Sequence, residues 1–360
     1  MKSGFKYTIL LSLILAATLI PVALKANEGN SEDSLAITES KPLFDFFNSD
    51  ELLEISLQFN IREFIRTRNE PVKKFNARLT VNEGNKMLSQ DIKLNVRGKM
   101  RRKYCSFPPI MLKVKNSKTT DQVFPKGNYK LVTHCSVAGN FENYILKEYL
   151  AYRLYNILTP YSFKTRLVMV NYIDSLNPKR VIKEYGILIE DLDDLAERNN
   201  TIIVENLRVS QNHMDEFQMA RVALFNYMIG NTDWSVAEQH NIKVLKTNQP
   251  MINKGIPVSY DFDYSGFVNT SYAIPNEKIP INSVTERYFL GGCYSDDLFK
   301  QVFSEFESIQ PEIVQTIENF HYLRKTQKKQ VLAYINNFYK KYRKEELLIA
   351  DLNKTCHRLN

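Results

Sequence analysis

Apolar and polar residues alternate along Leu53–Ile61, where Leu53, Ile55, Leu57, Phe59 and Ile61 share one face. A period of two predicts a half-buried strand. The pattern recurs over Asp91–Arg97, with Ile92, Leu94 and Val96 opposite Asp91, Lys93, Asn95 and Arg97. After Pro108-Pro109 it returns over Ile110–Lys115, where Lys113 points away from the apolar face of Ile110, Leu112 and Val114. Further strands are predicted at Tyr129–Thr133, Thr165–Ile173 and Val181–Glu190, the last two joined by a turn around Asn177-Pro178. A break at Gly139-Asn140 precedes a helix over Tyr144–Leu158. Leu146, Leu150, Leu154 and Leu158 form its stripe, and Thr159-Pro160 stops it.

The pattern changes from Asp191 onward. Met214–Ile229 has helical period, with Phe217, Ala220, Leu224 and Met228 in register and Gly230 in a C-cap position. Two short strands follow, Ile242–Leu245 and Ile256–Asp261, and then amphipathic helices such as Lys325–Tyr342 fill the span from Asp296 to Leu352. A β-rich half with one helix therefore precedes a helical half that holds a small hairpin.

The N-terminus carries a different signal. Lys2 and Lys6 precede an uncharged, mostly apolar run from Tyr7 to Leu24, Pro21 interrupts it, and Ala26 offers a small residue for cleavage. This predicts a signal peptide over residues 1–26, an exported protein, and a polar flexible leader over 27–41; an uncleaved anchor is the alternative. No later stretch is long and apolar enough to span a bilayer. Residues 1–26 hold three lysines and no acid, so cleavage lowers the net charge from +8 to +5. That surplus suits an acidic ligand such as a nucleotide without pointing to nucleic acid. The 21 Phe and 20 Tyr residues argue for a sizeable core. Four cysteines in an oxidising compartment suggest pairing, with Cys105–Cys135 favoured because both flank strands of one region; free buried thiols are the alternative.

Chemistry concentrates around the hairpin. Gly230-Asn231-Thr232-Asp233-Trp234 ends a helix, His240-Asn241 opens a strand, and Tyr260-Asp261-Phe262-Asp263 closes the next one. Metal-assisted phosphoryl transfer needs a carboxylate to orient the nucleophilic hydroxyl. It also needs hard oxygen ligands to hold Mg²⁺ on nucleotide phosphates. Taken singly, each residue has a plainer reading: Asp233 as a turn cap, Asp261 and Asp263 as a chance D-x-D, Lys113 and Glu148 as solvated side chains, and His240 as structural. The basic run Arg97, Lys99, Arg101, Arg102 and Lys103 reads as a solvated loop or as an anion-binding patch.

Over residues 90–270 the chain resembles the spore-coat CotH-type atypical protein kinases. The likeness rests on Val96-Arg97-Gly98 leading into Ile110–Lys115, on Tyr185-Gly186-Ile187-Leu188-Ile189-Glu190, and on Asp233, Asn241 and Asp261-Phe262-Asp263. It implies a two-lobed protein-kinase-like α+β fold, with a β-rich N-terminal lobe over 42–190 and a mainly helical C-terminal lobe over 191–360. It further implies Asp233 as the catalytic carboxylate, Asp261 and Asn241 as Mg²⁺ ligands with Asp263 beside them, and Lys113 as the phosphate lysine oriented by Glu148. Arg97 and Glu190 would complete the site for ATP or another nucleoside triphosphate. Asp233 and Asn241 stand eight apart, so Glu238, at an offset of five, is an alternative ligand, and no Gly-rich phosphate loop is present. Three functions follow: an exported phosphotransferase acting on a protein or other envelope substrate, a catalytically silent binding module of the envelope, or a D-x-D glycosyltransferase.

Overall fold

A computed structural model describes residues 46–83, 86–115, 124–136, 141–205, 209–248 and 254–357. The candidate signal peptide, 1–26, and the leader, 27–41, lie outside them. Strand β1 (Leu53–Phe59) buries alternate residues as its sequence pattern requires. It is followed by the short helix α1 (Ile61–Arg66), then β2 (Phe75–Glu83) and β3 (Lys86–Val96). A second short helix, α2 (Met100–Tyr104), leads into β4 (Ile110–Val114) and β5 (Gly127–Val132). After helix α3 (Phe141–Leu158) come β6 (Thr165–Asp174) and β7 (Asn177–Ile189). These seven strands close into a barrel in the order β1-β2-β3-β4-β5-β7-β6, antiparallel except where β1 runs parallel to β6. Inward-facing Ile55, Leu57, Leu79, Leu94, Ile110, Leu112, Leu131 and Val170 fill it.

Closure overturns the two-lobed kinase-like expectation. An open β-rich lobe would leave edge strands, whereas the β1–β6 pair joins Leu53–Phe59 to Val168–Asp174 and removes them. The fold is a barrel-containing α+β structure, and the described residues belong to one compact unit. Helix α4 (Leu192–Arg198) and strand β8 (Thr201–Val204) follow the barrel. Helix α5 (Glu216–Ile229) precedes β9 (Ile242–Thr247) and β10 (Gly255–Ser259), which pair with each other and, through β9, with β8. Helices α6 (Asp296–Asn319), α7 (Lys325–Tyr342) and α8 (Glu345–Thr355) complete the second core. Helix α3 is buried on every face from Ile145 to Tyr152, so Glu148 is a core residue at 1% exposure rather than part of a solvated face.

Cys105 bonds Cys135 and Cys293 bonds Cys356. Two disulfides suit a protein that matures in an oxidising compartment. Among the described residues no helix is long and apolar enough to cross a membrane.

Candidate active site

Helix α5 ends at Gly230, whose φ of 65° is the left-handed C-cap conformation that glycine adopts without steric cost. Space also requires glycine there, because a Cβ would lie 2.0 Å from the Tyr334 hydroxyl. The chain beyond Gly230 is tied to the chain beyond Asp263 by two backbone bonds. Gly266 N–H donates to Gly230 O and Phe267 N–H to Ile229 O, both at 3.0 Å. A buried polar network sets the first loop. Asn231 Nδ2 and Ser259 Oγ both donate to Asn226 Oδ1, at 2.8 and 3.2 Å, and Asn231 Oδ1 accepts from Asp233 N–H at 3.0 Å. These groups have no access to water, so their bonds fix Asp233 rather than merely decorate it.

The hairpin supplies the second loop. Tyr260 N–H donates to Asn241 O at 3.0 Å, which extends the β9–β10 ladder by one rung. Asn241 is thereby set beside Asp261. Phe262, fully buried, anchors the segment among Tyr152, Tyr155 and Phe225, with ring centroids 4.8 to 5.9 Å away. Tyr152 Oη accepts the Asp261 N–H at 2.8 Å. Both candidate ligands stand on left-handed backbone, Asn241 at φ 51° and Asp261 at φ 64°. Such conformations cost non-glycine residues about 1–3 kcal/mol and collect at functional sites.

Carboxylates crowd this point. Burial and the neighbouring Asp261 push the Asp263 carboxyl up to about 7, against the opposing pull of Arg101 and a 2.9 Å bond from Tyr272 Oη. Burial, with Asp263 nearby, also holds Glu148 well above the usual carboxylate range. Arg101 Nη1 stands 3.8 Å from Glu148 Oε2, while Glu148 Oε1 is buried without a hydrogen-bond partner. Burial works to lower the Arg101 pKa, but Tyr272, Asp263, Glu148 and Asp261 outweigh it and the pKa rises. On the loop after Gly230, Asp233 Oδ1 lies 2.9 Å from His240 Nε2 and its Oδ2 accepts from Asn241 Nδ2 at 3.0 Å. The bond to Asp233 raises the His240 pKa despite burial. Asp261 has no hydrogen bond or ion pair to its carboxylate among the described residues.

The structure therefore brings Asp233, Asn241, Asp261, Asp263, Glu148 and Arg97 together, the last within electrostatic reach of Glu148 and Tyr152. Other expected residues fall elsewhere. Lys113 pairs across the sheet with Lys93 and Asn128 and lines a groove with Asp191, Asp193 and Asp194; Glu148 meets Arg101 instead of Lys113. Glu190 is committed to a buried ion pair, accepting from Arg198 at 2.8 Å and from Lys164 N–H at 2.5 Å. Glu238 is exposed on the turn between Asp233 and His240.

Two cations went unassigned in the sequence. Arg101 was visible only as a member of the basic run. Lys130, on β5, lies over the rings of Phe163 and Tyr260, and burial together with Arg97 and Lys243 pushes it down to about 7, with Asp261 opposing. No sequence signal distinguishes Lys130 from Lys113, since both alternate outward on neighbouring strands.

Among the described residues no three Asp, Glu, His or Cys side chains are grouped closely enough to cage a metal. A metal held partly by its substrate needs no such cage. Mg²⁺ takes one or two carboxylates and completes its shell with water and substrate phosphate, and Asp261 and Asp263, with Asn241, are the hard oxygen groups at this point. Compared with known families and curated proteins, the chain matches no family model and no curated protein.

Proposed function

We propose that the chain is an exported phosphotransferase that moves a phosphoryl group from a Mg²⁺-bound nucleoside triphosphate to a hydroxyl of a protein or other envelope substrate. The observation that carries this reading is Asp261, an uncommitted carboxylate on left-handed backbone beside Asn241, Asp263 and Asp233. Asp261 and Asp263, with Asn241, would hold Mg²⁺, which supplies charge neutralisation to the phosphates when bound. Arg97 and Arg101, with their forked guanidinium groups, and Lys130, as a point charge, would meet the remaining phosphate oxygens. Asp233 orients the acceptor hydroxyl and takes its proton as the phosphoryl group leaves the nucleoside diphosphate. His240 and Asn241 hold the two Asp233 oxygens in place for that step. Export is supported by the N-terminal pattern and by the two disulfides.

A silent nucleotide-binding module is the second reading, favoured by the fact that both Asp233 oxygens already have partners. Transfer of labelled phosphate from nucleotide to added envelope proteins separates the two. The Asp233→Asn variant should bind Mg²⁺-nucleotide as tightly as the wild type and lose transfer by orders of magnitude. Binding without transfer in the wild type would leave the silent module standing.

A further inference from the structure

Helix α2 carries Arg101 to the site, yet nothing in its own sequence holds it there. It has five residues and buries no apolar side chain, Met100 and Tyr104 both being exposed, and Lys99 at its N-cap makes no side-chain cap. So short a helix does not persist by itself. Its attachments converge on Thr133–Cys135, the stretch just past β5. Cys105, the C-cap, bonds Cys135 with 4.5 Å between Cα atoms. Around that bond, Phe107 N–H and Ser106 Oγ both donate to Cys135 O, at 3.2 and 3.1 Å, and Thr133 Oγ1 donates to Phe107 O at 3.2 Å. Arg101 Nη2 donates to Thr133 O at 2.7 Å, and that contact aims the guanidinium at Glu148. At the other end the chain enters through Gly98, at φ 80°, after Arg97 N–H bonds Pro109 O at 2.9 Å. Arg97 and Arg101 thus share one short segment whose covalent fastening is a single disulfide.

We propose that the Cys105–Cys135 disulfide is a redox latch for phosphate binding: oxidised, it holds Arg101 beside Glu148 and the Asp261–Asp263 carboxylates, and reduced, it releases the segment and with it the affinity for Mg²⁺-nucleotide. The inference rests on the proposed function for its ligand. A dithiol supplies two electrons and two protons, the S–S bond becomes two thiols, and the dithiol closes to its own cyclic disulfide. A chain with this latch stays inactive in a reducing cytoplasm and gains its ligand affinity on reaching an oxidising compartment. The second bond, Cys293–Cys356, fastens the end of α8 to the segment around Gly292 and serves as an internal control.

The test compares wild type, Cys105→Ser/Cys135→Ser and Cys293→Ser/Cys356→Ser by calorimetric titration with Mg²⁺-ATP. Circular dichroism verifies that each is folded, and hydrogen exchange is followed over residues 97–107. The first double variant should bind at least tenfold more weakly and lose amide protection in that segment, and Arg101→Gln should reproduce the affinity loss with the disulfide intact. The second double variant should bind as the wild type does. Equal binding and equal protection in the Cys105→Ser/Cys135→Ser protein would overturn the latch. If the wild type binds no nucleotide, the proposed function fails instead, and the exchange measurement still decides whether the disulfide fastens the segment.

Discussion

Asp261 adopts φ 64° and sits beside the like charge of Asp263, so its position is unfavourable on two counts. A residue placed against both local conformation and local charge signals a functional demand. Asparagine tolerates left-handed backbone and carries no charge. Asp261→Asn should therefore melt at the same temperature as the wild type or higher, while its melting temperature stops responding to Mg²⁺-nucleotide. Scanning calorimetry with and without ligand checks both halves of that expectation. His134 tests a different kind of residue. It is 1% exposed and stacks on Phe107 with centroids 4.7 Å apart; neither ring nitrogen has a partner, and burial with Arg101 nearby pushes its pKa down to about 4. A folded-state pKa below the ordinary histidine value of 6.5 means that the unfolded chain binds the proton first. The neutral ring's contribution is complete above about pH 6.5 and is lost as pH falls toward 4, a change on the order of 3 kcal/mol. His134→Phe should keep the ring packing and remove this acid sensitivity, as urea titrations between pH 4 and 7 would reveal; an unchanged slope would contradict it.

At the scale of elements, the helix–loop–hairpin order around the site was legible because each part has a local signature. Gly230 marks the end of α5, and Asn231-Thr232-Asp233 has loop chemistry. The apolar runs on either side of a turn give β9 and β10. The same locality explains the failures. Lys113 and Lys130 both point outward, and only the pairing of Lys130 with Met111 and Ile189 sets it toward Tyr260 and Asp261. Alternation cannot report which stretch of the outer face meets a cleft. Helix α2 shows the limit from another side, since its five residues carry no apolar period and its position comes from a disulfide and from Arg101. Gly230 tests the coupling of the two loops. Gly230→Ala places a Cβ 2.0 Å from Tyr334 Oη on backbone that disfavours it. We expect a loss of about 1–3 kcal/mol in stability, and a drop in transfer larger than that loss explains, because Gly230 O receives the Gly266 N–H. Wild-type transfer rates in a folded Gly230→Ala protein would sever that coupling.

For the whole molecule, the decisive event is barrel closure, and it lay beyond the sequence. Strand β2 follows the same alternation as its neighbours, with Phe75, Ala77, Leu79 and Val81 buried, yet the sequence expectation passed over it. The parallel β1–β6 contact joins residues more than a hundred positions apart, and no local pattern encodes such a partner. A helix buried on every face, Lys147 and Glu148 included, was likewise unreadable from its leucine stripe. Burial of Glu148 inside α3 makes sense only when Arg101 arrives from α2 and Asp263 from beyond β10. Three distant segments thus contribute to one buried charged cluster, and the account stands or falls on that site taking a metal-bound nucleotide. Isothermal titration of the oxidised wild type with ATP, in Mg²⁺ and then in excess chelator, measures this directly, with Asp261→Ala run alongside. We expect saturable binding by the wild type in Mg²⁺, none in chelator, and none by Asp261→Ala in either; wild-type binding that is absent in Mg²⁺, or undiminished in the Asp261→Ala protein, would contradict it.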